Sequence, residues 1–161
     1  MSQTKNATIR RFDVRDLGAM ELLIHGTIDA SYTEYYPPKA VEFFKSFHSK
    51  QKILARVQSG TVLVMEENGK LVGTGSMVDG TIFAVFVDPL LQKGGRGKAL
   101  MHELECAARD AGETESKLDI SLPSRRFYES LGYTVTEEIS RDLGDDQRLN
   151  FWKATKVLTA N

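Results

Sequence analysis

Apolar residues recur along the chain with two different periods, and the switches between them mark the elements. Residues 7–12, Ala-Thr-Ile-Arg-Arg-Phe, alternate as a half-buried strand does. Leu17, Met20, Ile24 and Ile28 follow at helical spacing, with Asp13 or Asp16 placed to cap a helix that ends near Ala30. Pro37 and Pro38 suit a first helical turn, and Val41, Phe44 and Phe47 form an apolar stripe behind them that stops near Ser49. Ile53 and Val57 stand four apart with Gly60 beyond them, which predicts a short third helix.

Residues 61–87 hold three β-rich runs divided by Asn68-Gly69 and Asp79-Gly80, the dipeptides that favour two-residue hairpin turns, so a three-stranded antiparallel meander is expected. From Gly97 to Ala111 the apolar positions Leu100, Met101, Leu104, Ala107 and Ala108 share one helical face, closed by Gly112. Residues 117–121 read as a strand, 124–132 as a short helix closed by Gly132, and 133–139 and 149–157 as two final strands. This order predicts an α/β domain with a mixed sheet.

The 161 residues make one domain, residues 1–161, with residues 1–6 expected to be a flexible N-terminus. Lys and Arg number 21 against 22 Asp and Glu, so the dense basic surface that nucleic acid requires is not expected. No apolar run approaches the length of a membrane span, and the expectation is a soluble, cytoplasmic protein. The single Cys106 cannot form an internal disulfide, and Leu104, Ala107 and Ala108 place it on or beside a buried helix face. His25, His48 and His102 lack ligand spacing, so no metal is expected and they read as surface or packing residues.

Candidate chemistry concentrates in Phe86–Leu104, where a strand end passes through a glycine-rich turn into a helix. Such a turn suits a phosphate, because free N–H groups and the helix dipole converge there. It is not the nucleoside-triphosphate loop, since Gln92 stands where the first glycine belongs and Ala99 replaces the metal-binding hydroxyl. It is not the dinucleotide fingerprint either, since Leu100 occupies the third glycine position. A connector without a ligand stays open at this point.

Val87-x-Pro89 before Gln92-Lys93-Gly94-Gly95-Arg96-Gly97, followed two dozen residues later by Phe127-Tyr128-Glu129-Ser130-Leu131-Gly132-Tyr133, resembles the GNAT superfamily of N-acetyltransferases over almost the whole chain. The resemblance implies a mixed, mostly antiparallel central sheet flanked by helices, acetyl-coenzyme A as cosubstrate, and transfer to a small-molecule or peptide amine by direct attack. It implies that Gln92, Lys93, Gly94, Gly95, Arg96, Gly97 and Lys98 hold the pyrophosphate, although Gly94 stands where relatives often carry a basic residue. It further implies that Val85, Phe86 and Val87 pair with the pantetheine arm, that Ser121 touches that arm, and that Tyr128 protonates the departing thiolate. A core aromatic at Tyr128 and a helix N-cap at Ser121 are the competing roles.

Many relatives place a glutamate base where this chain has Thr81, which leaves Asp79, Asp119 and Glu34 as carboxylates to consider. The segment Ser31–Pro38 would border the acceptor, with Tyr32, Tyr35 and Tyr36 facing an amine and Glu34 attracting its charge. Cys106 is not expected to carry an acyl group, because no partner histidine is evident. The alternative of another class is a non-catalytic acyl-coenzyme A-binding regulatory module, and a homodimer is left open.

Overall fold

The computed structural model describes residues 7–159, so the N-terminal segment 1–6 lies outside the described residues. Strand β1 (Ala7–Arg11) leads through a 3-10 turn into helix α1 (Leu17–Ser31), followed by α2 (Pro38–Phe47) and α3 (Lys50–Ser59). The meander β2 (Thr61–Glu67), β3 (Lys70–Val78) and β4 (Thr81–Val87) comes next, then α4 (Arg96–Asp110), β5 (Glu115–Ser121), α5 (Arg125–Ser130), β6 (Thr134–Gly144) and β7 (Gln147–Val157). The two aspartates at the first turn act together rather than as alternatives. Asp13 accepts from Arg15 N, while the Asp16 carboxylate accepts from Asp13 N and forks onto Arg10 at 2.8 and 2.9 Å. The third helix is present as expected, with Ser49 capping Lys52 N.

The seven strands form one sheet in the order β1-β2-β3-β4-β5-β7-β6. All neighbours are antiparallel except β4 and β5. The alternation of β2 sorts the core into two layers: Val62 and Val64 join Met20, Ile24 and Ile28 of α1 on one face, and Leu63 and Met65 join Leu100 and Leu104 of α4 on the other. Among the described residues no helix is long and apolar enough to cross a membrane.

The last hairpin departs from the sequence expectation. Its strands run to eleven residues each and meet at Asp145-Asp146, both with positive φ (53° and 58°), as do Asn68-Gly69 and Asp79-Gly80 at the other two turns. Strand β6 is an edge with only Val135, Ile139 and Leu143 half-buried, so its polar far half gives no apolar signal.

Candidate active site

The site begins with an irregularity in β4. Ser76 pairs with Phe83 and Thr74 with Phe86, so β4 carries one extra residue, and Ala84 within that interval has φ +57°. This is a β-bulge, which turns the strand away from its neighbour. Between β4 and β5 the register holds a single pair, Thr81 with Lys117. Beyond it the two strands part, and two cavities occupy the wedge.

The first cavity, about 480 Å³, lies between Val85 and Val87 of β4, the turn before α4, and Phe127 and Tyr128 of α5. Among the described residues Lys93 and Lys98 are the only charged side chains lining it. Gly95, at φ +86°, is the N-cap of α4, and Ala99 N is the first amide of that helix to bond back, to the Gly95 carbonyl at 3.0 Å. The amides of Arg96, Gly97 and Lys98 are therefore free of helical partners at the positive end of the dipole. Gln92 Nε2 donates to the Val87 carbonyl at 3.0 Å and ties the turn to the strand end. These features fit a polyphosphate ester of an acyl thiol: amides and two lysines at one end, apolar strand backbone at the other.

The structure revises the part taken by three residues of the turn. The Arg96 guanidinium is committed to Glu67, with Nε to Oε2 at 2.6 Å and Nη2 to Oε1 at 3.0 Å, and Nη1 donates to the Leu91 carbonyl. What Arg96 offers the cavity is its backbone N–H. Gly97 lines the cavity, but a Cβ there would meet Phe127 Cζ at 3.0 Å, so its lack of a side chain serves the packing of α4 against α5. Gly94 does not line the cavity, and a Cβ there would meet the Arg96 guanidinium.

The second cavity, about 360 Å³, is walled by Tyr32, Phe44, Phe47, Phe86 and Phe151, with Thr81, Ser121 and Asp119 contributing polar groups. Tyr128, Val85 and Ser124 line both cavities, so they stand where the two meet. Tyr128 is 8 % exposed and its ring is set edge-to-face against Phe127 and Tyr133. Its hydroxyl has no hydrogen-bond partner among the described residues. Burial pushes that hydroxyl above the ordinary phenol range, and nearby Tyr32 adds to the effect. It is therefore held protonated at neutral pH.

Other predicted residues divide. Tyr32 and Phe86 wall the second cavity, whereas Glu34 is exposed, Tyr35 is 49 % exposed, and neither lines either cavity. The Tyr36 hydroxyl donates to the Asn150 carbonyl and accepts from Leu122 N, which is a structural clamp. Ser121 makes no cap bond; its hydroxyl meets that of Ser124 at 2.9 Å. Asp79 sits in the β3–β4 turn, away from both cavities. Cys106 does have a histidine in reach, with His102 Nε2 at 3.7 Å one helical turn back, but neither residue lines the wedge.

His48 was read as a surface or packing residue, and it is a buried residue that also lines the second cavity. Arg56 Nη2 donates to His48 Nδ1 at 2.8 Å and to the Phe47 carbonyl at 2.6 Å. Burial first, then the charge of Arg56, pushes the imidazole down to about 3, so it is neutral with its proton on Nε2. Arg141, exposed on β6, also reaches this cavity. Neither residue has a sequence signal, because each is brought to the cavity by tertiary packing.

The fold that carries this bulged fourth strand, parting fifth strand and amide-lined turn matches a known family. The family model for the acetyltransferase (GNAT) domain matches residues 32–144, and the chain belongs to that family. Among solved structures it is similar to a GCN5-related N-acetyltransferase from Rhodopseudomonas palustris, at TM-score 0.85 and 20% identity, covering 96% of this chain and 97% of that one. It is also similar to the PaiA N-acetyltransferase of Thermoplasma acidophilum in complex with coenzyme A, at 0.76 and 18%, covering 94% and 98%. A third is YncA, a putative acetyltransferase of Salmonella typhimurium with acetyl-coenzyme A, at 0.69 and 22%, covering 98% and 96%. No match is found among curated protein sequences.

Proposed function

We propose that the protein is an N-acetyltransferase that uses acetyl-coenzyme A and transfers its acetyl group to a primary amine by direct attack in a ternary complex. The observation that carries this reading is the place of Tyr128, at the meeting point of a cavity with a cationic, amide-lined end and a separate aromatic cavity. When bound, acetyl-coenzyme A supplies the acetyl group as a thioester. Lys93, Lys98 and the amides of residues 96–98 bind its phosphates, and the edge of β4 that parts from β5 near Val85 and Phe86 orients its arm. Tyr128 Oη holds a proton beside the thiolate that leaves and donates it there. The aromatic walls keep water from the acceptor.

A second reading rests on Thr81, which lines the acceptor cavity where relatives often have a glutamate, and whose hydroxyl cannot take a proton from an ammonium. It is a regulatory module that binds the acyl donor without turnover. Calorimetry with acetyl-coenzyme A, followed by thiol release with a panel of amines up to pH 9, separates the two. Acetylation of any amine with saturation establishes the transferase, and tight donor binding with no acetylation establishes the module.

A further inference from the structure

The charges around the acceptor cavity are unlike those a polycation needs. Asp119 is its single lining carboxylate among the described residues, and Lys153 Nζ already lies 3.5 Å from it. One guanidinium, Arg141, lines the cavity, and a second, Arg56, lies behind its wall. Arg56 is buried, 6 % exposed, behind His48 and Phe47, with its charge set over the rings of Phe47 and Phe83 at 5.4 and 5.0 Å. No carboxylate neutralises it, and its Nη1 is buried without a partner. The Arg141 guanidinium lies over the Phe151 ring at 5.6 Å and has no hydrogen bond or ion pair among the described residues. The cavity thus joins a flat aromatic interior to an unpaired guanidinium fork. At about 360 Å³ it also lies at the small end of ligand cavities.

We infer, resting on the transferase reading, that the acceptor is a small α-amino acid with an aromatic side chain, its carboxylate held by Arg141 and its ring packed among Phe44, Phe47 and Phe151. A guanidinium over an aromatic face is pre-set for a planar carboxylate, since its edge donors remain free while its face is occupied. The ring stacks in offset or edge contacts like those Tyr32 with Phe44 and Phe43 with Phe47 already make in the wall. His48 Nε2–H adds one donor from the wall. The positive field of Arg56 disfavours an ammonium more than a neutral amine, which shifts the bound nucleophile toward its reactive form without a carboxylate at position 81. A polyamine, in contrast, would bring several like charges to two uncompensated guanidiniums.

The test compares kcat/KM for phenylalanine, phenethylamine, alanine and spermidine by thiol release from acetyl-coenzyme A. Phenylalanine is expected to exceed phenethylamine, which lacks only the carboxylate, and alanine, which lacks only the ring, by about tenfold or more. Spermidine is expected to be poorest. In Arg141→Gln the ratio of phenylalanine to phenethylamine falls toward one, chiefly through KM, and Arg141→Lys recovers part of it. A preference for spermidine or phenethylamine, or an Arg141→Gln variant that keeps the full ratio, overturns the inference while leaving the transferase intact. Should no amine turn over, calorimetry of phenylalanine into the coenzyme A-loaded protein decides: binding weakened by Arg141→Gln sustains the carboxylate site, and no binding overturns it. Failure of acetyl-coenzyme A itself to bind overturns the reading beneath both.

Discussion

Tyr128 is the residue at which packing and chemistry are hardest to tell apart, because its ring is buried between Phe127 and Tyr133 while its hydroxyl is unengaged. Tyr128→Phe keeps the ring and removes only the hydroxyl. Steady-state kinetics of the folded variant are expected to show kcat lower by about 10²–10⁴-fold with acetyl-coenzyme A affinity within a few-fold, and a smaller loss with a more activated thioester. Wild-type turnover would leave the residue as core. His48 gives a stability prediction of definite sign. Its folded pKa, about 3, lies below the ordinary 6.5, so between those values the unfolded chain binds more protons and stability falls as pH falls. Urea unfolding is expected to show roughly 1–2 kcal/mol less stability from this group at pH 5 than at pH 6.5. His48→Gln, which keeps an acceptor for Arg56 but does not titrate, should lack that component of the slope. Single residues also show the limits of reading from sequence. Tyr128 and the glycine turn were legible because they sit in local motifs, whereas the pairing of Arg96 with Glu67 spans 29 positions and has no local signature.

At the scale of elements, β4 and the contact of α4 with α5 shape the wedge. Ala84 holds φ +57°, which a β-branched side chain tolerates poorly, so Ala84→Val is expected to cost about 1–3 kcal/mol and to weaken acetyl-coenzyme A binding by calorimetry. At the next contact, Gly97→Ala places a Cβ 3.0 Å from Phe127 and presses on the helix that carries Tyr128. Its kcat/KM should fall roughly tenfold to a hundredfold, and Phe127→Leu in the same chain should restore part of the loss, since the smaller side chain makes room. Unimproved activity in the double variant would show that the turn, not the helix contact, requires glycine. Most elements were legible for a physical reason: the helices and the meander are half-buried, so their periods are written in apolar residues. The bulge at Ala84 was not, since Phe83 through Val87 read as an unbroken apolar run whichever way they bend. The far half of the last hairpin was hidden by the solvated faces of its edge strand.

For the molecule as a whole, the two faces of the sheet divide the work. The α1–α3 face supplies walls of the second cavity, and the α4–α5 face carries the turn and a buried polar knot joining α4, β5, β7 and the loop before β6: Tyr133 Oη to Glu105 Oε2 at 2.8 Å and to Ser116 Oγ at 2.7 Å, with Lys156 Nζ 2.9 Å from Glu105 Oε1. Glu105→Ala leaves Lys156 partly able to reach water, so thermal or urea unfolding should show a loss of about 2 kcal/mol, below the cost of stranding a fully buried charge. The strand end and turn that line the first cavity run continuously in sequence from Val85 to Lys98 and were therefore visible early. The second cavity is assembled from Tyr32, His48, Thr81, Arg141 and Phe151, which only the folded sheet brings together. The strand order has a consequence for synthesis. β7 is made after β6 yet lies between it and β5, so during synthesis β5 has no outer partner until Phe151 to Val157 are added. Before Asn150 and Phe151 are added, the turn before α4 is already made, but Tyr36 lacks the Asn150 carbonyl and the second cavity lacks its Phe151 wall. The chain thus carries the whole glycine-rich turn well before it can close the aromatic cavity beside it.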